Sequence, residues 1–249
     1  MRPRSVPILP RRAVCTALGA ALLCAPAWPG GRTNLAQVDK LIVEQTNEFR
    51  NMSGAAPVTL NPRLADTARY FADYMARTDR YGHEADGSEP AQRAAARGYD
   101  YCMVSENIAF EFSSAGFETQ ELARRFVDGW KASPGHRHNM LDREATETAV
   151  AVAQSPRTGR YYAVQMFGRP QAMRVTFHIS NRSPAAVRYE LGGEWFQLPP
   201  RMTRTHERCH AEPMTLRLPG EPREMTVEPA NGARYAVERF AGRYRVSKG

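Results

Sequence analysis

The sequence predicts an α+β chain in two parts, a helical half closed by strands and an all-β tail. Three observations carry this. Apolar residues recur at helical spacing in four segments between residues 34 and 132. Two strand-like stretches, "TETAVAVAQ" and "RYYAVQMFG", then flank the turn-rich "SPRTG". After Arg169-Pro170 the chain breaks into short alternating segments separated by Gly, Pro and Asn.

The first residues stand apart. Arg2, Arg4, Arg11 and Arg12 precede an apolar run from Ala13 to Leu23, and Ala25-Pro26-Ala27 offers small residues for cleavage. The run is shorter than the roughly 20 residues that span a bilayer. Residues 1–31 therefore read as a cleaved signal peptide, leaving an exported, periplasmic or extracellular chain with no transmembrane helix.

Four helices follow. Leu35, Val38, Leu41, Ile42 and Phe49 keep one rhythm, with Gln45 as a lapse. In "NPRLADTARYFADYMART", Asn61 is a capping residue and Pro62 suits a first turn. Leu64, Ala68, Phe71, Ala72 and Met75 line one face of it. "SEPAQRAAARG" is a short helix stopped by Gly98. "TQELARRFVDGWKAS" spaces Leu122, Phe126 and Trp130 by four, which predicts a buried, structural Trp130. The helical half is bounded at 32–169. The tail, 170–249, reads "MRVTFHISNRS", "AVRYELGG", "EWFQLPP", "PMTLRLP", "EMTVEP" and "ARYAVERF", a small sandwich or barrel.

The formal net charge is +8, and four of the basic residues lie in the leader. Residues 171–249 hold 13 basic and 8 acidic side chains, scattered rather than in blocks. That distribution fits solvated strand faces with a weak preference for anionic surfaces, not a nucleic-acid footprint. Of four cysteines, Cys15 and Cys24 leave with the leader. Cys102 and Cys209 remain, and the sequence leaves their pairing open.

Three polar clusters interrupt the helical half: "YGHEADG" at 81–87, "SENIAF" at 105–110 and "SPGHRHNML" at 133–141. Each is expected at the end of an element, where a scaffold presents functional groups. His83, Glu106 and His136 make chemical sense together. Two imidazoles hold a divalent metal such as zinc, with a carboxylate as third ligand, orienter or base for a bound water. Spacing alone does not distinguish this from three unrelated polar residues. His138 reads as solvent-facing beside Arg137, and Glu84, Asp86 and Glu111 as surface charge. Ser105 and Ser133 adjoin the clusters as capping residues, so no nucleophile is assigned.

Taken together, "NEFR", "LNPRLADTARYFADYM", "GHEADGSEPAQRAAARGY", "SENIA", "FVDGWKASPGHRHNML", "TAVAVA" and "YYAVQMFG" stand in an order that resembles one family. Residues 35–169 are similar to the bacterial form of the CAP superfamily (cysteine-rich secretory proteins, antigen 5 and pathogenesis-related proteins; the SCP domain). The resemblance implies a three-layer α-β-α sandwich with a large cleft. His83, Glu106 and His136 match three of its four cleft residues, whose histidines bind metal in some members. Asn107, directly after Glu106, is counted with the cleft, and Arg137 and Asn139 are expected to fix the last loop by hydrogen bonds. The sequence departs from the family pattern at Ser133, where eukaryotic members carry an acid, and at Ala149-Val150-Ala151, where Gly-Val-Gly is usual.

The resemblance implies an exported protein that takes a small molecule, a lipid or sterol-like molecule, or a peptide in this cleft. The β tail then serves contacts with the envelope or a protein partner. Two alternatives stand beside it. One is a metal-dependent hydrolase with zinc on His83 and His136 and Glu106 activating water; the other is a structural or protein-binding envelope protein.

Overall fold

The computed structural model describes residues 33–249; the expected signal peptide lies outside the described residues. Helix α1 (Leu35–Met52) begins where Asn34 accepts the Gln37 N–H, and it buries Val38, Ile42, Val43 and Phe49. Helix α2 (Pro62–Thr78) starts as expected: Asn61 Oδ1 accepts from the N–H groups of Arg63 and Leu64, and Pro62 occupies the first turn. Its five expected core residues are all fully buried. Helix α3 (Pro90–Ala96) stops ahead of Gly98, whose φ of +75° only glycine adopts freely. Helix α4 (Thr119–Ala132) buries Leu122, Phe126 and Trp130.

A fifth helix, α5 (Pro134–Leu141), falls within "SPGHRHNML". It was not expected because it buries a single residue, Met140, and so has no apolar rhythm. Ser133 precedes it as the cap position but makes no side-chain capping bond.

Four strands form the sheet of this half: β1 (Thr59–Leu60), β2 (Tyr101–Glu111), β3 (Glu147–Gln154) and β4 (Tyr161–Pro170), in the order β1-β3-β4-β2. The β3–β4 hairpin was expected. β2 was not, and it corrects the placement of "SENIAF", which lies inside an eleven-residue strand rather than at an element end. Glu106 and Asn107, both buried, break the apolar pattern that would have revealed the strand.

Helices cover both faces of the sheet, giving three layers. On one face, Val150, Val152, Ala163 and Phe167 pack against α1, α4 and Met140 of α5. On the other, Ala149, Ala151, Ala153, Val164 and Met166 pack against α2 and α3. "TAVAVA" thus splits by alternation: valines fill one side, and small alanines meet Ala68 and Ala72 of α2 on the other.

The tail is a sandwich. Strands β5 (Val175–Asn181), β6 (Val187–Leu191), β7 (Glu194–Leu198), β8 (Thr203–Arg208), β9 (Met214–Arg217), β10 (Met225–Val227), β11 (Arg234–Phe240) and β12 (Arg243–Lys248) make two four-stranded sheets. Their orders are β10-β9-β6-β7 and β12-β11-β5-β8. β8 and β12 went unread in the sequence. Both are edge strands, and the charges of "TRTHER" and "RYRVSK" suit an edge that must not recruit another strand. Phe177, Ile179, Tyr189, Leu191, Leu216 and Val237 fill the space between the sheets.

Cys102 and Cys209 do pair, with Cα atoms 5.4 Å apart, which joins β2 to the tail. Beside the bond, Arg169 donates to the Cys209 carbonyl at 2.7 Å, and the Gln171 N–H donates to Asp100 O. Among the described residues no helix is long and apolar enough to cross a membrane.

Two consequences can be measured. Trp130 is 1% exposed, and its Nε1–H donates to the Ile108 carbonyl at 3.2 Å. Trp130→Ala is expected to cost about 3–5 kcal/mol in chemical unfolding; a loss below about 1 kcal/mol would contradict this packing.

His206 is 5% exposed, 2.7 Å from the Tyr189 hydroxyl and stacked on Phe177. Burial, with Arg208 and Arg204 nearby, lowers its pKa to about 4. The unfolded chain takes up this proton near pH 6.5 and the folded chain only near 4. Stability should therefore fall as pH drops through that window, by at most about 3 kcal/mol. Urea unfolding at pH 7 and 4.5 should show the loss, and His206→Phe should reduce it.

Candidate functional site

β2 is the outer strand of its sheet, so the carbonyls of Glu106 and Ile108 face no neighbouring strand. Side chains take the place of that strand. Asn139 Nδ2 donates to Glu106 O at 3.2 Å. Trp130 Nε1 and the Tyr81 hydroxyl both donate to Ile108 O, each at 3.2 Å. Donors thus reach this edge from α4 and α5 on one face and from the turn after α2 on the other.

Alternation along β2 then sends adjacent residues to opposite faces. The Glu106 carboxylate goes toward α3 and the turn, where His83 Nδ1–H donates to Oε1 at 2.8 Å. Asn107 goes toward α5: its Nδ2 donates to the His136 carbonyl at 3.1 Å, and its Oδ1 accepts from Asn139 Nδ2 at 2.9 Å. Glu106 therefore orients the ring of His83, while Asn107 fixes the backbone of His136.

The expected set of His83, Glu106, His136 and Asn107 is thus gathered at one edge. Burial, and the neighbouring His83, hold the His136 imidazole below the usual histidine range. Asn139 fixes the last segment as expected. Arg137 does so differently, by laying its guanidinium over the Phe49 ring at 5.2 Å. His138 is exposed, as read from the sequence.

Arg93 was missed. It is 1% exposed, its Nη2 donates to both oxygens of Glu106 at 3.0 and 2.9 Å, and its Cζ sits 3.6 Å over the Phe71 ring. Its Nη1 donates to Asp86 Oδ1 at 2.9 Å and to the Ser88 carbonyl at 2.5 Å. Asp86 was read as surface charge; with a side chain 2% exposed, it is instead the second buried acid of this cluster. No spacing signal marked Arg93, since an arginine in a seven-residue helix ordinarily faces water. Glu111, by contrast, does lie near the surface, 3.7 Å from Arg125.

The donor set bears on whether a metal fits. Both Glu106 oxygens are taken by Arg93 and His83, so the carboxylate is an orienter and not a free ligand. Among the described residues, no three His, Cys, Asp or Glu side chains are grouped to hold an ion. The four-ligand set of a structural zinc site is therefore not found there. Ser105 Oγ is buried with no hydrogen-bond partner among the described residues, so no base there engages it as a nucleophile. Concavities of about 330 and 520 Å³ lie elsewhere, one beside Arg69 and Arg77 and one beside His138, and neither touches His83, Glu106 or His136.

Comparison with known proteins adds to this geometry. Residues 43–167 match the model of the cysteine-rich secretory protein family, CAP. YkwD, an uncharacterized protein of Bacillus subtilis, is 25% identical over 138 residues, covering 55% of this chain and 49% of that protein. The chain thus spans about half the length of the curated relative it matches. Among solved structures, an outer surface protein of Borrelia burgdorferi aligns with a TM-score of 0.47 at 17% identity, over 53% of this chain and 92% of that one. An extracellular SCP-domain protein of Bacillus anthracis aligns with a TM-score of 0.45 at 21% identity, over 54% and 41%. The family model begins within α1 and ends within β4 with every residue of the edge cluster inside it, and the chain belongs to the cysteine-rich secretory protein (CAP) family.

Proposed function

We propose that the protein acts outside the cytoplasm as a binding protein, taking a small molecule, lipid or peptide at His83, Glu106 and His136. The observation that carries this reading is the enclosure of Glu106. Its carboxylate is 0% exposed and committed to Arg93 and His83. A group so held presents an imidazole; it does not stand free to activate water, as the hydrolase alternative requires. His136, depressed by burial, offers a neutral ring near pH 7 that both donates and accepts. The Cys102–Cys209 bond supports export, since such bonds persist in oxidising compartments. Residues 32–169 are the binding half in this reading, and 170–249 serve contacts with the envelope or a protein partner.

A weakly held divalent metal is the second reading, favoured by two imidazoles near enough for one to depress the other. Only His83 and His136 would hold it, so affinity would be low. A bound ion would act there as a Lewis acid.

Retention of a fluorescent fatty acid or sterol through gel filtration tests the first reading. His136→Ala should lower that retention about tenfold and leave the unfolding midpoint unchanged. Zinc calorimetry tests the second: weak binding at pH 7, lost in acid as the His136 ring takes up a proton, and absent in His136→Ala. Peptide release from casein by the zinc-loaded protein, with no ligand retained, would overturn the binding reading.

Arg93 should behave in the opposite way to His136. Arg93→Met leaves two buried carboxylates uncompensated, and about 3–5 kcal/mol of stability should go with it. Urea unfolding measures this, and a loss under about 1 kcal/mol would show that the cluster is open to water.

A further inference from the structure

The outer face of one sandwich sheet carries a group of side chains that neither the fold nor the edge cluster needs. In the sheet β10-β9-β6-β7, Tyr189, Leu191, Leu198, Met214 and Leu216 point into the core. Alternation leaves Arg188, Glu190, Trp195, Gln197, Thr215 and Arg217 on the other side. Arg188 and Arg217 stand directly opposite each other across β6 and β9. Like charges so placed destabilise a sheet. Glu224 lies against Arg217, but among the described residues Arg188 has no acidic partner. Both guanidinium groups gather at Trp195, with Cζ atoms 4.3 Å (Arg217) and 5.4 Å (Arg188) from the ring centroid. Trp195 is 40% exposed, so this arrangement adds little to the core.

The composition of this face discriminates among ligands. A single indole among charged and polar neighbours lacks the apolar area that inserts into a membrane. Trp195 is the one aromatic among the face residues named above, so successive bases of a single strand would find no second platform to stack on. A sugar ring, however, lays its C–H face on an aromatic face, and its hydroxyls both donate and accept. Sugar carboxylates match guanidinium groups through charge-assisted hydrogen bonds.

We propose that this face binds an acidic, uronate-bearing polysaccharide. Trp195 lies against a sugar ring, Arg188, which lacks an acidic partner among the described residues, holds a carboxylate, and Gln197, Glu190 and Thr215 meet hydroxyls. Calorimetry of the purified protein with polygalacturonate at low salt tests this. Binding is expected, weakened about tenfold or more by Trp195→Ala or Arg188→Gln. Trp195→Phe should retain most of it, His136→Ala should not alter it, and neutral amylose should not bind. Absence of polygalacturonate binding would overturn the proposal. So would equal binding by Trp195→Ala and Arg188→Gln, or capture of phosphatidylglycerol vesicles in place of the polysaccharide.

Discussion

The sheet of the α/β half has two bare edges, and the need to satisfy their backbone groups organises what surrounds them. β1 covers β3 only at Glu147 and Thr148. Farther along, Asp39 Oδ1 accepts the Val152 N–H at 2.8 Å, and Arg69 donates to the Val152 carbonyl at 2.7 Å. The two side chains also pair with each other at 2.7 Å. Helices α1 and α2, from opposite layers, are thereby pinned to one strand residue. Burial pushes the Asp39 carboxyl up to about 6 in spite of Arg69 beside it.

The other edge is closed by Tyr81, Trp130 and Asn139, and this closure places the candidate site. Bringing donors from both faces to Glu106 O and Ile108 O also brings the His83 turn and α5 to the same line. Enclosing the Glu106 charge then requires a counter-charge, and Arg93 supplies it while also donating a hydrogen bond to Asp86. Asp86 Oδ2 and Arg93 Nε remain without partners among the described residues, so the cluster is not fully satisfied. An incompletely satisfied buried cluster is weak grounds for stability. Its clearer consequence is that the His83 ring is held in one orientation.

How much was legible follows from the same physics. α2 was readable to the residue because its cap, its first-turn proline and its apolar face agree. The β3–β4 hairpin was readable because both strands are buried on two faces and run nearly continuously apolar. β2 and α5 were not, because each gives its positions to polar residues that serve the edge and not the core. His83, Glu106 and His136 were named through motif resemblance, and spacing alone could not have joined them. Arg93 and Asp86 lie inside the motif "GHEADGSEPAQRAAARGY", but nothing in it marked them as buried, since a buried ion cluster is visible only once the chain folds back on itself. In the tail, six strands showed their alternation, whereas β8 and β12, charged at the sheet edge, did not.

The edge closure also limits how a peptide could be held at this centre. An open outer strand invites an extended peptide to add as a further strand through backbone hydrogen bonds. Here the outward carbonyls of Glu106 and Ile108 already accept from Asn139, Trp130 and Tyr81. The Cys102–Cys209 bond anchors the start of the same strand. Strand addition along the middle of β2 would have to displace three side chains, one of them the buried indole that supports α4. Under the binding proposal, a ligand at this edge would therefore meet side chains alone, the imidazoles of His83 and His136 first among them. That geometry favours a compact polar group on a small molecule, a lipid or a peptide terminus over a long extended backbone.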